Sequence, residues 1–427
     1  MEKSRRGFLT AAVVGGTSLS GCLRFSDDDT TSTRATEGRS STRTPESDGV
    51  SEERTETTRP DRSLSAYPMS LVNARNTGYS GTASASEAEA GEPTTRWETS
   101  IESSENTPVI ATDASLYFGD EHTVRALGRD GRDQWRYGTD GIVRGVAVAG
   151  DAVYAACELS KSNGDNGALV ALDRKTGERR WRFATKHELL FEPSIVDGTA
   201  YLGTGGGTLM ALDVGDGTER WSSSLGDGLG LVTTPAIAGG TGYVTKVAPY
   251  TSTEDPGVFA VDLATGGIRW RTETEHLSEI PTRVVDGRVS VSTVRSIRAL
   301  SSTTGEIKWD VQNRTKQPIV STQDEIFVAS TYQTVECYDA ETGSVVWDAN
   351  LPGKPTGAPT LVGRSLLVPS SDGNLYAFNS NDGSVRWRFS VGRGREPSSS
   401  VTVVGSRLYL VVESDTQSVM LALNGSV

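Results

Sequence analysis

The chain has 427 residues, 47 of them glycine, and a formal net charge of −13. That charge opposes a nucleic-acid partner, because a phosphate backbone is gripped by a surface basic enough to displace its counterions. Abundant Val, Thr and Ser, with 35% hydrophobic residues, suit an all-β protein with many tight turns better than a helical one.

The first predicted element is a leader over residues 1–21. Arg5 and Arg6 in "SRRGFL" form a twin-arginine pair, and "FLTAAVVGGTSLSG" follows as an apolar run too short to span a bilayer comfortably. The run ends in "LSGC", which resembles a lipobox, so Cys22 is expected to be acylated once the leader is removed. This implies export in the folded state and an anchor in the outer face of the cytoplasmic membrane. Residues 22–66 are nearly all Ser, Thr, Asp, Glu and Arg. Such a stretch buries too little apolar surface to offset its chain entropy, and reads as a disordered tether. Its r.m.s. reach is roughly 35–40 Å, from about 5–6 Å times the square root of its length. Arg far outnumbers Lys, and an acidic, lysine-poor surface is the composition of a protein kept soluble in concentrated salt.

Residues 67–427 are a repeat array. "ALDRKTGERRW" at 171–181 returns as "ALDVGDGTERW", "AVDLATGGIRW", "ALSSTTGEIKW", "CYDAETGSVVW" and "AFNSNDGSVRW". The eight tryptophans, Trp97, Trp135, Trp181, Trp221, Trp270, Trp309, Trp347 and Trp387, are separated by 38, 46, 40, 49, 39, 38 and 40 residues. That period suits a four-stranded propeller blade. Where the pattern is complete the third strand ends at an Asp that accepts turn N–H groups, Asp173 or Asp262. A left-handed glycine follows, Gly177 or Gly266, and then a fourth strand bearing the tryptophan. The last unit stops after its third strand, while "TTRWETS" around Trp97 is a fourth strand without a blade. Pairing the two closes an eight-bladed β-propeller of antiparallel blades and removes exposed sheet edges.

The pattern A-x-D-x-x-T-G-x-x-x-W resembles the tryptophan-docking repeat of pyrroloquinoline-quinone (PQQ)-type β-propellers, from about Tyr67 to Val427. "YPMSLVNARNTGYSG" looks like that family's lead-in segment, and with the lipobox the architecture is similar to BamB-like outer-membrane assembly lipoproteins. Two repeats depart from the pattern: "ALGRDGRDQW" is one residue short, and Cys337 replaces alanine in the sixth. The resemblance also raises a quinoprotein dehydrogenase, which typically holds its quinone and calcium with adjacent cysteines, carboxylates and a catalytic Asp. Here the cysteines are Cys22, Cys157 and Cys337. Cys157 and Cys337 fall in blades two and six, across the ring and beyond disulfide reach. His122, His187 and His276 lack metal-ligand spacing, and no nucleophile elbow, P-loop or zinc motif occurs. We therefore expect no enzyme, no cofactor and no metal.

What remains is where the repeat is interrupted. "ELSKSNGDNGA" and "KVAPYTSTEDPGV" lengthen the loop between second and third strands in blades two and four. That loop shares a face with the blade-to-blade connections "ATKHELLFE" and "TETEHLSEI". Lys186, His187, Glu188, Tyr250, Glu254, Asp255, His276 and Glu279 are thereby expected to form a binding face around blade three. The chain reads as a non-catalytic scaffold for a membrane or exported protein; a quinoprotein enzyme and a solute receptor feeding a transporter are the alternatives.

Overall fold

The computed structural model describes residues 79–80, 91–102, 108–160, 164–248, 256–274 and 277–425. The leader, the tether, Arg5, Arg6 and Cys22 lie outside the described residues, as do Tyr250, Glu254, Asp255 and His276. Among the described residues there are eight sheets, one per blade, and each runs through four consecutive positions from the ring centre outwards. Blade three is representative: Ser194–Val196, Thr199–Gly203, Thr208–Asp213 and Glu219–Ser224.

The ring closes as expected. Thr94–Ile101 pairs antiparallel with Ser418–Asn424, setting Trp97 opposite Ala422 across a bulge. The same register recurs inside the other blades, where Ala171 faces Trp181, Ala260 faces Trp270 and Cys337 faces Trp347, each beside a bulge. The closing strand is thus a true fourth strand displaced to the other end of the chain.

Alternation of side chains across each strand sends one set into each of the two seams that flank a blade. Val124 and Trp135 of blade one pack with Val146, Val153 and Val170 of blade two. The seams on either side of the closure are filled by Leu367 of blade seven, Leu408 and Val411 of blade eight, and Leu116 and Phe118 of blade one. Each fully buried Val or Leu contributes about 1.5–3 kcal/mol, so stability is distributed around the ring. The outer strands stay solvated, with alternating exposure such as Ile268–Glu273.

Three features differ from the sequence reading. Tyr79–Ser80, within the lead-in segment, forms a fifth strand parallel to Thr360–Val362, the inner strand of blade seven. The inner strands of blades four and eight are each split in two, Leu231–Val232 with Ala236–Ala238, and Arg395–Pro397 with Thr402–Val404. Closure also leaves edges: every fourth strand keeps a free outer side, which charged side chains such as Arg269, Arg271 and Glu273 guard.

The shortened first repeat is accommodated locally. Gly131 N–H bonds to the Gly128 carbonyl, three residues back, where Gly177 N–H reaches Asp173 four residues back. Blade one adds a buried network in which Arg125 pairs with Asp120 at 2.7 Å and Asp133 at 2.9 Å. Arg125 also donates to the Ser100 carbonyl of the closing strand.

Candidate functional site

The repeat residues are committed to holding blades together. The Trp135 indole N–H donates to the Arg174 carbonyl of blade two at 3.0 Å, Trp181 to Val214 of blade three at 2.9 Å, and Trp270 to Ser302 of blade five at 2.8 Å. Trp97, Trp221, Trp309 and Trp347 do the same toward Arg129, Leu263, Ala340 and Ser380. Each indole lies on the turn glycine of the next blade. At Gly177, with φ of +74°, an added Cβ would sit 2.7 Å from the Trp135 ring; at Gly266, with φ of +73°, 2.7 Å from Trp221. Asp173 accepts the N–H groups of Lys175 and Thr176, and Asp262 those of Ala264 and Thr265.

Trp387 is the exception: among the described residues its buried indole N–H has no partner. The blade it faces is the eighth, whose third and fourth strands, Ser418–Asn424 and Thr94–Ile101, come from far apart in the sequence.

Sequence reasoning missed two members of this machinery. A second-strand tyrosine tilts against each of several tryptophans, with Tyr117, Tyr154, Tyr201 and Tyr243 about 6 Å from Trp135, Trp181, Trp221 and Trp270. Several also donate to the carbonyl that the indole uses, as Tyr243 does to Ser302 at 3.3 Å. The arginine before the tryptophan latches back onto the turn carboxylate, Arg180 to Asp173 at 2.7 Å and Arg220 and Arg269 to Asp213 and Asp262 at 2.6 Å. Arg269 and the Thr265 hydroxyl pull the Asp262 carboxyl down to about 2. Both signals were present in the sequence, the Arg directly before the tryptophan and the Tyr as third residue of the second strand.

The proposed binding face resolves into a compact part and a remote one. Lys186, His187 and Glu188 lead from the outer strand of blade two to the inner strand of blade three. The Lys186 carbonyl accepts Asn166 Nδ2 at 2.8 Å, from the loop between the second and third strands of blade two. Glu188 accepts the Gly205 N–H at 3.0 Å. The His187 ring lies against Gly206, where a Cβ would come within 2.4 Å of it. That glycine turn bridges in turn to Gly230 of the next connection. Buried Lys246 braces this connection by donating to the Asp227 and Gly228 carbonyls at 2.7 and 3.2 Å. Glu279 is on the same side but on the connection from blade four to blade five, where neighbouring Ser278 bonds to Ser292. It does not join the Lys186–Glu188 cluster. His122, in the second-to-third-strand turn of blade one, belongs to this face as well.

Charge divides the face. Over blades one to four its described exposed carboxylates include Glu121, Asp140, Asp227 and Glu279, against exposed Lys186. Over blades five to seven the exposed groups are mainly Arg and Lys: Arg295, Arg314, Lys316, Lys354 and Arg393. Cys157 and Cys337 are free, buried and in separate blades, two and six. Burial is the main cause that pushes each thiol up to about 12. Among the described residues no three His, Cys, Asp or Glu side chains converge as metal ligands would.

Three overlapping stretches, residues 120–246, 227–324 and 296–427, match the family model described as "Outer membrane protein assembly factor BamB". A relative bearing that name from Moranella endobia is 26% identical over 255 residues, covering 56% of this chain and 62% of its own length. The BamB crystal structure from Moraxella catarrhalis superposes with a TM-score of 0.62 at 19% identity, over 78% of this chain and 99% of that one. A quinohemoprotein alcohol dehydrogenase of Pseudomonas putida gives 0.68 at 13% identity, over 85 and 80% of the two chains. At these identities the structural likeness is one of fold.

Proposed function

The chain belongs to this family of PQQ-like β-propellers, and from that premise we propose that it is a non-catalytic scaffold of the cell envelope that docks a protein partner. The observation that carries this reading is the division of labour within the ring. The repeated Trp, Asp and Gly residues are spent on joining blades, while the strand ends that flank both insertions, Leu159 and Gly167 in blade two and Val247 and Gly257 in blade four, open on the side of the blade-to-blade connections. There the Lys186–Glu188 connection, the Gly205–Gly207 turn and the Asp227–Gly230 connection pack into one surface, and a rigid surface loses little entropy on binding. The relatives named as outer-membrane assembly factors support an assembly role of this kind. The partner is a membrane or exported protein.

The same reading assigns residues 1–21 to a twin-arginine leader, Cys22 to lipidation, residues 22–66 to a tether and residues 67–427 to the propeller. The ring would then hang from the outer face of the cytoplasmic membrane.

A quinone–calcium site does not fit these residues. Quinoproteins typically use adjacent cysteines, but Cys157 and Cys337 belong to blades two and six. Among the described residues no set of carboxylates and imidazoles converges to hold the cation.

The test is crosslinking and affinity capture of the tagged full-length chain from its native membrane. A variant with residues 160–165 and 249–255 each replaced by a short Gly-Ser turn runs in parallel. The scaffold reading expects an envelope protein captured by the intact chain and lost with the loops. Capture that ignores both loops refutes the docking face, and a melting temperature raised by added PQQ with calcium refutes the non-catalytic reading.

A further inference from the structure

A second surface lies on the same face, over blades five to seven. In a chain of net charge −13, Arg295, Arg314, Lys316, Lys354 and Arg393 are exposed there, and none makes an ion pair with another of the described residues. Several other arginines are paired, Arg144 with Glu158, Arg180 with Asp151 and Asp173, and Arg395 with Glu98. A row of cations on one face runs against the acidic composition of the molecule.

The row is held in place by backbone. Asn313 N–H bonds to the Arg295 carbonyl at 2.9 Å, and Thr331 N–H to the Arg314 carbonyl at 2.8 Å. Leu351 N–H bonds to Gln333 at 2.8 Å, Ser371 N–H to Lys354 at 2.8 Å, and Val391 N–H to Gly373 at 3.1 Å. Every turn of this sector is stitched to a neighbouring connection, so the cations stand on one continuous ridge. Tyr332 sits in the middle of it, 62% exposed, the most exposed large hydrophobic side chain described. Carboxylates also adjoin the ridge: Asp372, Glu396 and Glu336, whose side chain accepts Asn313 Nδ2 and the Thr334 hydroxyl. Asp372 accepts the Tyr376 hydroxyl at 2.6 Å.

We propose that this ridge binds an extended acidic segment of a partner protein, its carboxylates on the Arg and Lys side chains and an apolar side chain against Tyr332. Cations spaced along successive turns, with an exposed aromatic side chain among them, match a chain of charges that carries an apolar residue; an anionic bilayer would attract the same cations, and the vesicle arm of the test separates the two. A second copy of this chain would approach with its own charge of −13, which opposes association. The proposal rests on the scaffold reading for its biological sense but uses neither insertion, so the two can fail separately.

The probe is a short fluorescein-labelled peptide of alternating Glu and Ser with a central Leu, titrated into the full-length chain at low and high salt. Arg314→Glu with Lys354→Glu should weaken binding at least about tenfold, and Tyr332→Ala roughly threefold, since paired charges across an interface and a central aromatic each carry effects of that size. Lys175→Glu, on the opposite face, and the Gly-Ser loop variant should leave binding unchanged. Melting temperatures of all variants should match the parent, because the side chains are solvated. Absence of peptide binding overturns the proposal, as does equal binding by the ridge variants. Binding to phosphatidylglycerol vesicles in place of peptide, or ridge-dependent dimers in sedimentation, assigns the ridge to lipid or to a second copy and likewise overturns it.

Discussion

Gly266→Ala tests how the ring is held together. Gly266 has φ of +73°, and an added Cβ would lie 2.7 Å from Trp221 Cε3 and 3.0 Å from Cδ2. Gly240, in a turn between the first and second strands of the same blade, has φ of +70° and nothing within 4 Å of that position. Holding alanine in the left-handed region costs about 1–2 kcal/mol at either site. Only at Gly266 is there a further overpacking cost, about 1–3 kcal/mol for pushing a methyl group into a packed ring. Gly240→Ala should therefore lose about 1–2 kcal/mol and Gly266→Ala about 2–5. Guanidinium unfolding followed by tryptophan fluorescence and far-UV circular dichroism measures both, and coincident curves establish that one transition is being compared. In the double variant with Trp221→Ala the clash is gone, so the two losses should fall short of additivity by about 1–3 kcal/mol. Equal losses at Gly240 and Gly266, within about 0.5 kcal/mol, would refute the idea that indole-on-glycine packing joins the blades.

Three more outcomes are expected. The Asp262 carboxyl, held first by Arg269 down to about 2 from an ordinary value of 3.8, stabilises the fold above its unfolded pKa, and that support is lost as pH falls through the folded value. The melting temperature should drop between about pH 4 and pH 2, and Asp262→Asn should flatten that drop; parallel curves count against the latch. Cys157 and Cys337, buried and pushed up to about 12, should resist iodoacetamide at neutral pH and react together on global unfolding; selective labelling of either in the native protein would contradict their burial. Asn313 heads the sequence "NRT", yet it is 4% exposed and its Nδ2 donates to Glu336 and the Tyr338 hydroxyl. Glycopeptide mass spectrometry should find it unmodified, whereas a glycan there requires that corner of blade six to be open.

The repeat and its closure were legible because the turn that defines them is local. An Asp, a left-handed glycine and a tryptophan at fixed spacing encode one hairpin, and Trp97 without a blade matched a last blade without a tryptophan. Strand order alone assigns the insertions to the side of the blade-to-blade connections, and Tyr250, Glu254 and Asp255 lie outside the described residues. Cysteine separation followed from blade number, and Cys157 and Cys337 are indeed apart and free.

Tertiary structure decided what depends on partners far along the chain. Each bonded indole finds its carbonyl 31–42 residues away, a distance set by blade docking and by no local signal. Trp387, which faces the composite blade, has no acceptor among the described residues. Tyr79–Ser80 finds its place beside Thr360–Val362 only once a free inner edge exists. The cationic ridge, too, is scattered over residues 295–393 and becomes one surface only when backbone bonds bring successive turns together. A hairpin is specified by the conformations its own residues allow, whereas a surface is specified by which hairpins the ring sets side by side.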